Sequence, residues 1–525
     1  MKILMIYPQL DSPLGTNHGI SAIAGVLHAN GHEMELLHIS EKYQGVPDPE
    51  EVVRKIEEAD GDYGLIGFSA MSQQYEYIVS LSTAIRERLP DQLQIIGGVH
   101  CTMVPAEVHE ARLFDYVCIG EGEYSLLELM DALENDQPTE AIPNLRMWRN
   151  DQPVVNKVAP FPDLETMPPL DYNIFDMDAI MDETHGWMGI LTSRGCPYKC
   201  TYCFNMEIVD HYIADGAAKK VKDFLRHFPI EVVMEDLKRL KRENPKINTF
   251  IFDDDLFTLN KQYVQDFTRA YIEHEINTPF VVNGHVNCFD EKSSRALSEA
   301  GCIIVKFGLE SGSDPIRRKV LHRHMTNKQI EDSFEAAHKH NLHSSAFVML
   351  GLPHEGREEI QETLELCAKV KMGRFRWALF FPFPGTAGYE IAKPMIDHEK
   401  MKGVGNYFDG SCLNFSPEHD LYLDKLSRLC NWYVNALTDW ECAAIYSELV
   451  ADLEAMDKET WLAKRDELVA YDRELSDNLM KRNMPHYTIR YSNVMGVRSD
   501  YIQWEEEQLK TGKMEQAVTY SLDEG

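Results

Sequence analysis

The stretch SRGCPYKCTYCFN, residues 193–205, decides how this chain is interpreted. It follows a short apolar segment and carries Cys196, Cys200 and Cys203 at the spacing C-x3-C-x2-C. Three thiolates at this spacing can hold one face of a four-iron cluster and leave the fourth iron without a protein ligand, whereas ferredoxin-type clusters use four cysteines. The spacing therefore predicts a [4Fe–4S] cluster whose open iron can bind another molecule.

A structural zinc site is the alternative for the same cysteines. Zinc sites prefer four nitrogen or sulfur ligands, commonly supplied as two C-x2-C pairs, and the chain has no second pair. His211 could complete such a site. The position of the loop directly after a predicted strand favours a catalytic cluster.

Length and composition indicate a globular protein of two to four domains, since the 525 residues are 44% hydrophobic and 26% charged. The 52 Lys and Arg residues against 85 Asp and Glu give a net charge of −33, which disfavours nucleic acid as a partner. No apolar run predicts a transmembrane segment, and the N-terminus begins as a strand rather than a signal peptide. We therefore expect a cytoplasmic protein, and we expect the other eight cysteines to be reduced and mostly buried.

The first 140 residues alternate short apolar segments with helical patterns. Apolar residues at Ile20, Ile23, Ala24 and Leu27, for example, recur at the spacing of one helix face. Strands and helices that alternate at this interval predict right-handed crossovers and a doubly wound, Rossmann-like parallel sheet over residues 1–140. The strand candidates are residues 2–7, 33–38, 63–68, 93–97 and 116–119.

Four of the turns after these strands are rich in small residues, and we call them the rim turns. Glycine lets a large planar or phosphorylated ligand approach the backbone, and hydroxyl groups donate hydrogen bonds with little bulk. Ordinary tight turns explain any one of them alone, but the carboxyl ends of parallel strands share one edge, so four together predict a ligand site. The rim-turn residues are Leu14 and Gly15; Ser69, Met71 and Ser72; Gly97, Gly98 and His100; and Gly120, Glu121 and Gly122.

A proline-rich segment, residues 141–185, predicts an extended linker. A second alternating series over residues 186–390 predicts a partial (β/α)6 barrel with its chemistry at the carboxyl ends of the strands. Its six strand candidates are residues 188–192, 249–252, 280–283, 303–307, 346–350 and 375–381.

The remaining part of the chain, residues 391–525, has a helical pattern without strand signals. Large aromatic residues in such a region most often anchor packing. Four tryptophans are the candidates, namely Trp432, Trp440, Trp461 and Trp504.

Further motifs follow the cysteine loop in the order of the predicted barrel strands. They are FDDDLF at 252–257, GLESGS at 308–313, MLGLP at 349–353 and FPFPGT at 381–386. Together with the cysteine loop, these motifs resemble those of the radical S-adenosylmethionine (SAM) superfamily. With the N-terminal sheet, the chain resembles its cobalamin-binding class, which contains B12-dependent radical methylases and the anaerobic magnesium-protoporphyrin ester cyclase. The resemblance covers residues 1–390.

This resemblance implies three cofactors: a [4Fe–4S] cluster on Cys196, Cys200 and Cys203, SAM, and cobalamin. The open iron would chelate SAM, and an external reductant of the flavodoxin or ferredoxin type would supply the electron that cleaves SAM to a 5′-deoxyadenosyl radical. The residues that the resemblance places near SAM are Tyr202, Phe204, Asp254, Glu310, Ser311 and Gly351.

The rim turns would bind cobalamin. Cobalamin domains that place a histidine on cobalt carry D-x-H-x-x-G after the first strand, and residues 1–135 lack this pattern. We therefore expect cobalamin with its own base displaced and no histidine on cobalt. Met71 would shield the lower face, Ser69 and Ser72 would hold the tail, and His100 would contact the corrin or its tail.

The function that the resemblance implies is methylation of an unactivated carbon in a small biosynthetic substrate. Non-methylating oxidative cyclisation or rearrangement with the same cofactors is one alternative. A non-catalytic cobalamin-binding sensor or carrier is an alternative of another class, and the intact cysteine loop and Glu310 count against it.

Overall fold

The protein is described by a computed structural model for residues 1–10, 12–59, 62–403, 410–489 and 495–503. The strands are β1 (Lys2–Gln9), β2 (Glu33–Ser40), β3 (Leu65–Ser69), β4 (Gln94–Gly97), β5 (Tyr116–Cys118), β6 (Leu145–Arg149), β7 (Gln152–Val155), β8 (Trp187–Ile190), β9 (Ser193–Arg194), β10 (Arg226–His227), β11 (Thr249–Phe252), β12 (Phe280–Gly284), β13 (Cys302–Glu310), β14 (His343–Leu350), β15 (Arg374–Leu379), β16 (Tyr487–Ile489) and β17 (Met495–Arg498).

The helices are α1 (His18–Ala29), α2 (Glu41–Gln44), α3 (Pro49–Glu58), α4 (Tyr75–Arg88), α5 (Val99–Met103), α6 (Pro105–Glu110), α7 (Glu123–Glu134), α8 (Met177–Glu183), α9 (Asn205–Ala214), α10 (Ile230–Glu243), α11 (Lys261–Glu273), α12 (Glu291–Glu299), α13 (Asp314–Lys319), α14 (Asn327–Lys339), α15 (Arg357–Val370), α16 (Ala387–Ala392), α17 (His398–Gly403), α18 (Pro417–Ala436), α19 (Ala443–Ala455) and α20 (Lys458–Lys481). None of these helices combines the length and the apolar character that a membrane span requires.

The chain divides into two compact units. The first contains residues 1–184, 191–240 and 383–387, and the second contains residues 185–190, 241–382 and 388–525. The cysteine loop therefore belongs to the first unit, although the sequence places it after the first barrel strand. The helical C-terminal region belongs to the same unit as the barrel strands.

The first unit is built on a seven-stranded sheet in the order β2-β1-β3-β4-β5-β6-β7. The five strands β1 to β5 are parallel, which confirms the predicted doubly wound sheet. Ile6, Ile66 and Ile96 on neighbouring strands are buried and pack with residues of the covering helices, among them Val53 and Ile85. The strand order reverses between β1 and β3, where sheets of this kind bind their ligands.

The proline-rich segment differs from the predicted extended linker. It contains the hairpin β6–β7, which continues the first sheet antiparallel to β5, and it contains α8. Asn150 and Asp151 both have positive φ angles, 49° and 56°, as a two-residue hairpin turn requires. Pro153 lies in β7, the edge strand of the sheet, where a missing backbone N–H breaks no ladder. The first unit thus extends past the predicted boundary at residue 140.

The second unit is built on an eight-stranded sheet in the order β16-β17-β15-β14-β13-β12-β11-β8. The six strands from β8 to β15 in this sheet are parallel, as the partial (β/α)6 barrel predicts. One face is covered by helices: the Phe307 ring meets Phe334 of α14, and Trp377 Nε1 donates to the Ser427 carbonyl of α18 at 3.3 Å.

The C-terminal region is not exclusively helical. Its strands β16 and β17 add to the barrel sheet antiparallel to β15. They are only three and four residues long, and they form by pairing with each other and with β15. No local sequence pattern therefore predicts them. Trp432 and Trp461 are buried packing anchors as predicted, whereas Trp440 is half-buried and Trp504 lies outside the described residues.

The eight dispersed cysteines are reduced thiols, as expected. Seven of them are buried, which confirms their prediction as small core residues, and Cys288 is half-buried. Burial raises the pKa of the Cys118 thiol to about 12, so it stays protonated at neutral pH.

Candidate functional site

The cysteine loop is held at both ends. Before it, β9 pairs with β10, and Gly195 has a φ of +99°, where a side chain would collide with the Phe224 carbonyl. Within it, the Cys203 N–H donates to the Cys200 carbonyl at 3.1 Å. After it, α9 begins at Asn205. This short turn brings the backbones of Cys200 and Cys203 close together, as two ligands of one cluster must be.

The three cysteines are in the thiol form, and their exposure differs. Cys200 is buried, whereas Cys196 and Cys203 are half-buried. Of the two aromatic residues expected near SAM in this loop, Tyr202 is half-buried and Phe204 is 41% exposed. The loop thus presents thiols and one exposed aromatic ring rather than a closed apolar core.

A buried network of charges anchors the cysteine loop to the fourth rim turn. Arg194 Nη1 lies 2.7 Å from Glu121 Oε2 and 2.8 Å from Glu123 Oε1. Arg226 donates to both oxygens of Glu121 and, at 2.7 Å, to the Pro162 carbonyl. Because Arg194 is only two residues before Cys196, this network fixes where the loop starts.

The electrostatics of this network favour its charged form. Burial raises the pKa of the Glu121 carboxyl, but the charges and hydrogen bonds of Arg194 and Arg226 outweigh burial and hold that pKa below its ordinary value. Burial lowers the pKa of Arg194, and the two carboxylates more than reverse this effect. Glu121 and Arg194 therefore stay ionised together at neutral pH.

Two residues predicted to bind cobalamin also have protein partners. The Glu121 carboxylate forms ion pairs with Arg194 and Arg226. The Glu121 backbone N–H donates to the Tyr212 hydroxyl at 2.9 Å. Gly120 has a φ of +77°, and a side chain there would collide with the Tyr212 hydroxyl. Gly120 is thus explained by helix packing, and Glu121 holds the loop in place. Sequence reasoning missed Arg194, although it stands inside the quoted stretch.

The second and third rim turns meet directly. The Ala70 N–H donates to the Gly97 carbonyl at 2.8 Å, and the His100 N–H donates to the Ala70 carbonyl at 3.1 Å. Gly98 has a φ of +103°, and its close approach to the Ala70 backbone leaves no room for a side chain. The structure thus brings these predicted residues together at one edge, with Met71 43% exposed.

His100 is a neutral, buried imidazole at this edge. Its Nδ1 lies 3.1 Å from the Ser72 hydroxyl, and its ring lies 4.1 Å from that of Tyr75. Burial lowers the pKa of His100 to about 4. Its Nε2 is buried and has no hydrogen-bond partner among the described residues. An unpaired buried nitrogen is costly, and a hydrogen-bonding group of a ligand would satisfy it.

The first rim turn is pinned by Gln9. The Gln9 side chain donates to the Pro13 carbonyl at 2.8 Å and accepts from the Gly15 N–H at 3.2 Å. Leu14 is buried between these contacts. Gly122, in the fourth turn, packs against the Cys118 sulfur, so its backbone also serves the fold.

In the second unit, Glu310 ends β13 in a strained conformation. Its φ is +64°, which is uncommon for a residue with a side chain, and its pairing with β14 is irregular at this point. The Glu310 side chain is 8% exposed, and Arg323 donates to the Gly308 carbonyl beside it at 2.6 Å. Backbone strain of this kind concentrates at functional sites, which supports Glu310 as a candidate site residue.

The other barrel residues predicted near SAM are less accessible. Asp254 is fully buried, and its carbonyl accepts from Asn283 Nδ2 at 3.0 Å. The Ser311 hydroxyl is buried 3.3 Å from that of Thr363 and accepts the Ser313 N–H, so it supports the turn. Gly351, with a φ of +70°, faces Leu423 of α18.

Glu355 is a buried carboxyl that sequence reasoning missed. Its Oε2 accepts the Leu352 N–H at 3.1 Å and so holds the turn that contains Gly351. Burial raises the pKa of Glu355 to about 8, hence it is mostly protonated at neutral pH. A Glu five residues after the predicted strand gives no local signal of burial.

Two family models match the chain: the B12 binding domain over residues 13–130, and the radical SAM superfamily over residues 190–367. An uncharacterized methyltransferase of Pyrococcus horikoshii, PH0819, is 26% identical over 403 residues, which cover 75% of this chain and 83% of that protein. The anaerobic magnesium-protoporphyrin IX monomethyl ester cyclase of Cereibacter sphaeroides is 21% identical over 414 residues, 76% of this chain and 64% of the cyclase.

A solved structure shows the same fold. It is that of OxsB, a cobalamin-dependent S-adenosylmethionine radical enzyme, with a TM-score of 0.65 and 14% identity over 99% of this chain and 82% of that one. The B12 model spans the four rim turns, and the radical SAM model starts at Ile190, directly before the cysteine loop. The chain therefore belongs to the cobalamin-binding class of the radical SAM superfamily, whose cofactors are a [4Fe–4S] cluster, SAM and cobalamin.

Proposed function

We propose that this enzyme methylates an unactivated carbon of a small biosynthetic substrate. The observation that carries the proposal is the loop of three closely spaced cysteines in a chain that also matches the B12 binding domain. The name of the relative PH0819, a methyltransferase, supports methyl transfer as the reaction. An external reductant of the flavodoxin or ferredoxin type would supply electrons.

The donor set of the cysteine loop fits an iron–sulfur cluster. Thiolates are the ligands that iron–sulfur clusters use, and Cys196, Cys200 and Cys203 would hold the cluster. When bound, cluster and SAM together supply a carbon-centred radical that abstracts hydrogen from the substrate. The protein's part is to anchor the loop through Arg194 and to order the barrel edge around Glu310 and Gly351, which we propose as SAM contacts.

The rim turns fit cobalamin at one specific point. The buried Nε2 of His100 has no partner among the described residues, and a corrin side-chain amide would satisfy it. Ser69 and Met71 lie on the adjoining turn, and Met71 is exposed enough to contact a ligand. When bound, cobalamin supplies the methyl group. We propose that no histidine binds its cobalt, because residues 1–135 lack the D-x-H-x-x-G pattern.

Electron paramagnetic resonance of the protein loaded with Co(II) cobalamin tests this arrangement. We expect a base-off spectrum without nitrogen splitting, and an unchanged spectrum in a His100→Gln variant that binds cobalamin more weakly. Nitrogen splitting that disappears in His100→Gln would show that this imidazole binds cobalt and would contradict the proposal.

The products of SAM distinguish methylation from the second candidate, oxidative cyclisation, which the name of the cyclase relative suggests. With substrate, a methylase will form S-adenosylhomocysteine and 5′-deoxyadenosine in equal amounts, as quantified by liquid chromatography and mass spectrometry. Formation of 5′-deoxyadenosine and product without S-adenosylhomocysteine would refute methylation and favour the cyclisation reading.

A further inference from the structure

The face of the barrel sheet opposite its covering helices carries positive charge. Lys306 on β13 pairs in register with Ser345 on β14, which pairs with Arg374 on β15. Two residues further along β15, Arg376 pairs with Phe347 on β14. Side chains two apart on a strand share a face, so these five residues form one surface, which we call the inner face.

Positive charge on the inner face contrasts with the chain's net charge of −33. An acidic group lies near this surface: Asp253 Oδ1 is 3.8 Å from Lys306 Nζ, an ion pair beyond hydrogen-bond distance. Arg374 Nε donates to the neutral Ser345 hydroxyl at 3.2 Å. Burial lowers the pKa of Lys306, Arg374 and Arg376 lower it further, and Asp253 raises it. Clustered cations that repel one another favour a bound anion.

The inner face is closed at one end and open at the other. At the amino ends of the strands, Val281 and Ile304 pack with Val497, Tyr501 and Ile502 of the C-terminal region. Toward the carboxyl ends, the Phe347 side chain is 37% exposed. Active sites of parallel (β/α) barrels lie at the carboxyl ends of the strands, so a substrate entering there meets an aromatic ring beside cations.

We propose that the substrate carries an oxyanion group, a carboxylate or a phosphoryl group, bound by Lys306, Arg374 and Arg376, with an apolar part on Phe347. Guanidinium and ammonium groups recognise carboxylate and phosphoryl oxygens through charge-assisted hydrogen bonds. This inference rests on the proposed function, because it assumes that the enzyme acts on a small substrate. The residues that carry the inference all belong to the second unit.

A matched set of three ligands tests the inference in the holoenzyme with cobalamin, cluster and saturating SAM. Isothermal titration of 2-naphthoate, 2-naphthyl phosphate and neutral 2-naphthamide compares groups on one apolar ring system. We expect at least one anion to bind about tenfold or more tightly than the amide. A charge-assisted hydrogen bond contributes enough binding free energy to account for such a difference. The tighter anion identifies the oxyanion class, and equal binding of all three would overturn the inference.

Two variants locate the binding. Lys306→Met and Arg376→Gln should each lose the preference for the anion, whereas Lys339→Met, an exposed lysine paired with Glu291 on a surface helix, should keep it. Circular dichroism and the charge-transfer absorbance of the cluster show that Lys306→Met is folded and holds its cluster. If folded Lys306→Met kept the wild-type preference for the anions, the substrate role would be refuted while the proposed methylation would stand.

Discussion

Alanine at Cys196, Cys200 or Cys203 will abolish both the charge-transfer absorbance of the reconstituted cluster and the cleavage of SAM. The expected loss is complete, because three cysteines are the whole protein ligand set in this spacing. Iron content, the absorbance spectrum and 5′-deoxyadenosine formation after reduction are the measurements. The Cys196 and Cys203 variants should retain their fold, since both residues are half-buried.

Cys367→Ala is the matched control. Cys367 is buried in α15 of the second unit, and its replacement removes packing contacts without touching a cluster ligand. It should lower the free energy of unfolding and leave iron content unchanged. Full iron content and SAM cleavage in a Cys196, Cys200 or Cys203 variant would show that the cluster assignment is wrong.

Glu121→Gln should destabilise the protein by about 3–5 kcal/mol, the cost of leaving buried cations without one partner. In this variant Arg194 keeps its ion pair with Glu123, whereas Arg226 loses its ion pair with Glu121. Arg194 lies two residues before Cys196, at the start of the cysteine loop. We therefore expect an altered electron paramagnetic resonance spectrum of the reduced cluster in addition to the lower stability. Chemical denaturation followed by circular dichroism measures the free energy of unfolding.

Glu140→Gln provides the comparison, because Glu140 pairs with Arg149 at 3.3 Å on the surface of the same unit. Exposed pairs contribute about 0–1 kcal/mol, so this variant should resemble the wild type. The low pKa of Glu121 stabilises the fold above the pKa of an unfolded Glu, and this contribution disappears as the pH falls. The loss of stability on acidification should be shallower in Glu121→Gln. Equal stability and spectra of the two variants would refute the anchoring role.

The sequence by itself determined the architecture of both parallel sheets. In each, a strand buried on both sides reads as a short apolar run, and a helix between strands shows its own period, as in β1 (Lys2–Gln9) and α1 (His18–Ala29). The cysteine loop was equally readable, because C-x3-C-x2-C is a local spacing with a chemical meaning. Local patterns were sufficient wherever the deciding residues are close in the chain.

Tertiary structure alone decided the partners of distant residues. The sequence marked Glu121 as a rim residue, but its partners, Arg194 and Arg226, are 73 and 105 residues away. The strands β16 and β17 form only because β15 offers an edge, and β7 tolerates Pro153 only because it is an edge itself. The cations of the inner face come from strands β13 and β15, which β14 separates. Charge pairing and edge pairing depend on proximity in space, and no local spacing in a sequence encodes that proximity.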